Sequence, residues 1–174
     1  MTIWNIREEQ PGDEAAIYAV TDAAFTGHPH SAGTEPAIVD ALRTDGDLTL
    51  SLVALDADEA VVGHAAFSAA ILSNGDHGWE VLGPISVQPA LHRQGIARAM
   101  MVEAERILRD RGAKGIVLLG DPAFYVRLGF TRDTPLHITG PLAEYFQARH
   151  FTDDVPAASI SFAPAFGLAE VKDR

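Results

Sequence analysis

Between Ile85 and Met100 the sequence reads ISVQPALHRQGIARAM: an apolar run, a proline, a glycine between two arginines, and the start of an amphipathic run. Strand, break, glycine turn and helix in that order make an anion site. The first N–H groups of a helix have no internal partner and the helix dipole leaves partial positive charge there, so a phosphate placed above them is hydrogen-bonded and electrostatically favoured. Gly95 and the small Ala97 let a phosphate approach the backbone, while Arg93 and Arg98 add full charges. Small residues at a helix start also serve plain close packing, and that reading stands beside the first. The nucleotide P-loop, GxxxxGK followed by Ser or Thr, is absent, and so is the dinucleotide fingerprint GxGxxG. GHPH, with His28 and His30 two apart, lacks a third ligand at a recognisable spacing, so no metal is expected and a role in a loop is preferred.

These residues need elements to hold them. TIWNIREE alternates as a strand, and PGDEAAIYAVTDAAF starts a helix with proline and acidic residues. GHPHSAGTE is a loop, with Thr34 a candidate N-cap for a second helix, EPAIVDALRTDG, that stops at Gly46. LTLSLVALD, AVVGHAAFSAAIL and HGWEVLGPISV are three strand-length runs with short links, which predicts an antiparallel meander. A long helix follows, with Ile96, Met100, Ala104, Ile107 and Leu108 on one stripe, ending at Gly112. GIVLLG then reads as a buried strand, DPAFYVRLGF as a short helix and turn, and YFQARHF with ASISFA as a final hairpin around TDDVP. The order predicts an α+β fold on a mixed sheet, with the strands before and after the long helix parallel.

At 174 residues and 47% hydrophobic, the chain is expected to form a single domain spanning 1–174. Mean hydropathy is +0.06 and no run approaches the roughly 20 apolar residues that span a bilayer. The N-terminus lacks a basic and apolar leader pattern, so a cytoplasmic location is expected. A net charge of −11 disfavours nucleic acid and anionic membrane as partners. The absence of cysteine removes thiol nucleophiles and Cys-ligated metals.

From the glycine turn onward the chain resembles the GNAT superfamily of acyl-CoA-dependent N-acyltransferases, whose signature is a strand, Gln or Arg, two residues, Gly, any residue, and Gly or Ala opening a helix. Here the run is HRQGIA, and FYVRLGF is similar to the family's Tyr-x-x-x-Gly-Phe element downstream. With LGDPAFYVRLGF and the C-terminal FAPAF it looks most like a bacterial, YhbS-like branch. His92 departs from the pattern, which leaves that side chain's contribution open while the backbone contacts of the turn survive.

The resemblance implies a mostly antiparallel mixed sheet flanked by helices, and acetyl-CoA as co-substrate. It implies that Arg93, Gln94, Gly95, Ile96, Ala97 and Arg98 cradle the pyrophosphate and that the strand edge Ile85, Ser86 and Val87 hydrogen-bonds the pantetheine arm. Tyr125 matches the family tyrosine that protonates the departing thiolate, and an ordinary phenol is protonated at neutral pH; its alternative is packing. A backbone amide near Val87 is a candidate for the oxyanion. Asp121, where many relatives carry a cofactor-contacting asparagine, reads here as an N-cap. Glu80 and Glu35, with His64 behind them, are the candidates for the base, each with a structural alternative: a solvated strand charge, a helix N-terminal charge and a hydrogen-bonded strand residue. Trp4, Trp79, Phe124 and Phe130 read as core or pocket wall. The expected activity is transfer of an acetyl group to a primary amine by direct attack, in a monomer or homodimer; a cofactor-binding sensor without transfer is the alternative.

Overall fold

The computed structural model describes residues 4–29 and 31–167, so His30 lies outside the described residues. Strand β1 (Asn5–Glu8), helices α1 (Glu14–Phe25) and α2 (Glu35–Thr44), and strands β2 (Leu48–Leu55), β3 (Val61–Ala69), β4 (Ile71–Leu72) and β5 (Trp79–Val87) come first. Helix α3 (Ile96–Asp110), β6 (Gly115–Leu119), α4 (Pro122–Tyr125), β7 (Phe146–His150) and β8 (Ile160–Ser161) follow. Six strands form one sheet in the order β1-β2-β3-β5-β6-β7. The meander is antiparallel, and β5 and β6 are parallel because α3 carries the chain across between them.

The two sheet faces are covered by different helices, as the period-two alternation of the strands requires. Leu50, Leu52, Ala54, Ala65, Phe67, Leu82, Ile116 and Leu118 meet Ile96, Met100, Met101, Ala104 and Leu108 of α3. Val53, Leu55 and Ala66 on the other face meet Ile17 of α1 and Ile38, Val39 and Leu42 of α2. The stripe read from the sequence is thus the buried face of α3, with Ile107 partly covered. Gly112 ends the helix in the left-handed region (φ 81°), where the N–H of Ala113 donates to Leu108 O at 2.9 Å and that of Gly112 to Arg109 O at 3.0 Å.

Thr34 is the N-cap of α2 as the sequence suggests, with its hydroxyl making no capping bond and buried without a partner among the described residues. Pro36 fills the second helical position and removes one of the two N–H groups such a cap would bind. The expected final hairpin does not form. β7 runs antiparallel to β6, and its other edge is met by Thr131, which exchanges hydrogen bonds with Ala148 at 2.8 and 2.9 Å. β8 pairs instead with β4, placing Ile160 in one apolar cluster with Leu72, Val81 and Leu136.

Glu105 of α3 ties the helix to β7. It accepts Arg149 Nε at 2.7 Å and Nη2 at 3.0 Å, and also Arg109, whose guanidinium stacks 4.2 Å from the centre of Phe151. The Arg149 hydrogen bonds hold the Glu105 carboxyl below its ordinary value, against the opposing effect of burial. A depressed carboxyl stabilises the fold above its unfolded pKa of about 4.3, and that contribution disappears as pH falls through the lower folded value. Glu105→Gln is expected to cost about 1 kcal/mol at pH 7 and nothing well below pH 4, measured by denaturant unfolding at both.

Candidate active site

The parallel ladder between β5 and β6 covers only Trp79–Val81 against Gly115–Val117. Beyond it the strands part. The β3–β5 register shifts between Ala65, opposite Ile85, and Phe67, opposite Leu82, so β5 carries an extra residue at Gly83–Pro84; such a bulge bends a strand, and proline has no N–H for a ladder. Gln88 N donates to Val62 O at 2.8 Å, which makes the in-register pair Ser86–His64 a hydrogen-bonded one by alternation. Ile85 and Val87 therefore present their backbone groups to the side from which β6 has departed. Ser86, the third residue expected there, turns its backbone to β3 instead.

The turn before α3 closes the end of this opening. Gly95 is the N-cap with φ 84°, and Arg93 is also left-handed at φ 65°. The first intrahelical bond is Ala99 N to Gly95 O, so the N–H groups of Gly95, Ile96, Ala97 and Arg98 have no helical acceptor, and Gly95 has no side chain to cap them. The space over Gly95 is open, with no atom within 4 Å of where a Cβ would stand. The Trp4 indole donates to Gln94 O at 3.0 Å. Because a trans peptide sets C=O and the next N–H on opposite sides, holding that carbonyl toward Trp4 aims the Gly95 N–H away from it. Trp4→Phe keeps the ring packing and loses the bond; a three- to tenfold weaker Kd for CoA with an unchanged fold is expected, read by calorimetry, on the order of 1 kcal/mol.

Tyr125 ends the one-turn helix α4, which Asp121 caps by accepting Ala123 N at 3.0 Å with Pro122 at the first helical position. The capping role read for Asp121 is thus the observed one. The Tyr125 ring meets Phe124 and Phe130 edge-on at 4.9 and 5.8 Å and lies directly over Gly120, at the end of β6. It therefore stands on the β6 lip of the opening. Burial, and then the Asp121 carboxylate, push its phenol up to about 12, so it holds its proton throughout the physiological range.

The other candidates scatter. Glu80 sits where the β5–β6 ladder is still closed, opposite Ile116, at the end of β5 remote from the glycine turn; it accepts Thr49 Oγ1 at 2.6 Å, and burial raises its pKa against the pull of Thr49 and Arg111. The structure does not bring it to Tyr125. His64 is fully buried, its Nε2 2.7 Å from Ser51 Oγ, and burial followed by the Arg43 charge lowers it to about 3, which keeps it neutral and a poor base. Glu35 accepts Ser31 Oγ at 2.8 Å and lines a cavity of about 380 Å³ with Asp22, Phe25, His28 and Ser31 at the α1–α2 junction. His92 sets Nε2 3.1 Å from Val87 O, so the nitrogen on that side carries its proton toward the carbonyl. Arg98 Nη2 donates to Arg127 O at 2.9 Å. Trp4, read from the sequence as core or pocket wall, and the Arg127 carbonyl enter through contacts between distant segments; the Trp4–Gln94 bond spans 90 residues. Among the described residues no three His, Asp or Glu side chains cluster as metal ligands.

A parallel pair thus splays beside a helix N-terminus, with a protonated tyrosine on the far lip. The chain belongs to the acetyltransferase (GNAT) family, whose model matches residues 15–130, from α1 through Phe130. It is 38% identical over 125 residues to the uncharacterized N-acetyltransferase YhbS of Escherichia coli K12, covering 72% of each chain. The crystal structure of YhbS from Escherichia coli in complex with CoA superimposes with a TM-score of 0.85 at 31% identity, covering 96% of this chain and 93% of that one. A GNAT family acetyltransferase from Brucella melitensis, crystallised with acetyl-CoA, gives a TM-score of 0.82 at 41% identity over 95% of this chain and 99% of that one.

Proposed function

We propose that this protein transfers the acetyl group of acetyl-CoA directly to a primary amine. The observation that carries the reading is the opening of β5 from β6 between the unsatisfied amides of Gly95–Arg98 and the ring of Tyr125. The pyrophosphate sits on those amides, with Arg93 supplying charge, and the pantetheine arm continues β5 as an added strand on the backbone of Ile85 and Val87. That two similar proteins were crystallised with CoA and acetyl-CoA supports acetyl-CoA as the co-substrate.

In the reaction the neutral amine attacks the thioester carbonyl carbon, a C–N bond forms, and the carbonyl oxygen takes the negative charge. A free N–H of the opened strand, at Ile85 or Val87, is placed to hold that oxyanion. The C–S bond then breaks, and the thiolate takes the Tyr125 proton to leave as free CoA thiol. The phenolate regains a proton from solvent as the amine nitrogen gives its own up, so no covalent enzyme intermediate forms. Glu35, held by Ser31 in the α1–α2 cavity, is the candidate for receiving the amine and its proton; α1 and α2 both pack against β5. Following thiol release from acetyl-CoA across a panel of primary amines tests the reading. Amine-dependent release supports it, and binding of acetyl-CoA without release for any amine contradicts it.

A further inference from the structure

Most cations of this acidic chain are neutralised within the fold: Arg7, Arg43, Arg106, Arg109, Arg111 and Arg149 all form ion pairs with carboxylates. Among the described residues Arg93, Arg98, Lys114, Arg127 and Arg132 do not. Three of these lie on two adjoining turns. Arg93 and Arg98 flank Gly95, and the 2.9 Å bond from Arg98 Nη2 to Arg127 O brings the turn after Tyr125 against the first turn of α3. Arg127 is exposed, and its side chain makes no hydrogen bond or ion pair among the described residues. The two carboxylates nearest to Arg127 in sequence, Asp121 and Asp133, are each six residues away, and neither forms an ion pair with Arg93, Arg98 or Arg127 among the described residues. Adjacent like charges with no compensating carboxylate raise the energy of the empty protein and are relieved by an anion.

This inference rests on the acetyl-CoA reading given above. We propose that Arg127 binds the 3′-phosphate on the ribose of coenzyme A and makes the protein select the complete cofactor over its 3′-dephospho form. The pyrophosphate is served by the backbone N–H groups of Gly95–Arg98, which form a compact cradle with room over Gly95. Arg98, by bonding Arg127 O, directs its charge to the side of the Tyr125 turn rather than over Gly95. A further anion at that side meets the Arg98 guanidinium next to the turn that carries the exposed Arg127. The ribose monoester fits: it is the one phosphate of the cofactor outside the pyrophosphate bridge, carries close to two charges, and offers the terminal oxygens a guanidinium fork binds in pairs. An exposed, unbraced arginine also suits a group at the open, nucleotide end of the ligand.

The test compares Kd for CoA and for 3′-dephospho-CoA by calorimetry in the wild type, in Arg127→Gln and in Arg132→Gln, the last as a control for general surface charge. The wild type is expected to prefer CoA about tenfold, Arg127→Gln to lose that preference by weakening CoA alone, and Arg132→Gln to keep it. Equal wild-type affinities, an equal loss for both ligands in Arg127→Gln, or the same loss in Arg132→Gln would overturn the proposal while leaving the cofactor site in place. Binding of neither ligand by the wild type would overturn the underlying acetyl-CoA reading as well.

Discussion

Replacing Tyr125 by Phe is expected to lower kcat by about two to four orders of magnitude with the Kd for CoA unchanged, the effect of removing a general acid. The phenylalanine ring keeps the edge-on contacts to Phe124 and Phe130, so packing survives and the proton alone is lost. The pH profile gives a second readout. A group that must be protonated fails as pH rises through its pKa, and because burial pushes the Tyr125 phenol up to about 12, the wild type should show no alkaline loss of kcat centred at the ordinary phenol value of about 10. Steady-state kinetics with a substrate amine, from pH 6 to 10, checks both. Equal turnover in the variant would remove Tyr125 from the chemistry.

Gly120→Ala should approach the same loss of kcat by another route. A Cβ at Gly120 would overlap Cε2 and Cδ2 of the Tyr125 ring. The backbone cannot yield easily, because Gly120 N donates to Tyr145 O at 3.1 Å and Gly120 O accepts Gln147 Nε2 at 2.9 Å. The ring must move instead, and a displacement near 1 Å at a reacting group costs on the order of 100-fold in rate. The double variant with Tyr125→Phe should turn over no more slowly than Tyr125→Phe alone, since the misplaced group is then already absent. Full activity in Gly120→Ala, or a multiplicative loss in the double variant, would separate Gly120 from the tyrosine.

The sequence made legible whatever depends on local pattern. The meander, the α3 stripe, its stop at Gly112 and the Asp121 cap all follow from periodicity and capping chemistry, which neighbours in sequence decide. The glycine turn was legible for the same reason. Pairing between distant segments was not: β8 alternates as well as any hairpin strand, but Thr131 already holds the edge of β7. Glu80 illustrates the limit at the site. Its position on β5 suggested a base, and only the register shows that it lies where the strands are still joined. Arg98 appears in sequence as one more charge on the turn, while in the fold it braces the segment that carries Tyr125.

The central claim is that the opened edge of β5 and the amides before α3 together receive the cofactor. A titration of CoA into isotope-labelled protein, followed amide by amide in NMR spectra, tests it most directly. Saturable shifts at Ile85, Val87 and Gly95–Arg98, with a single shared Kd, are the predicted result. Saturable binding that moves amides of β7 or of the β4–β8 pair while leaving Gly95–Arg98 in place would contradict it.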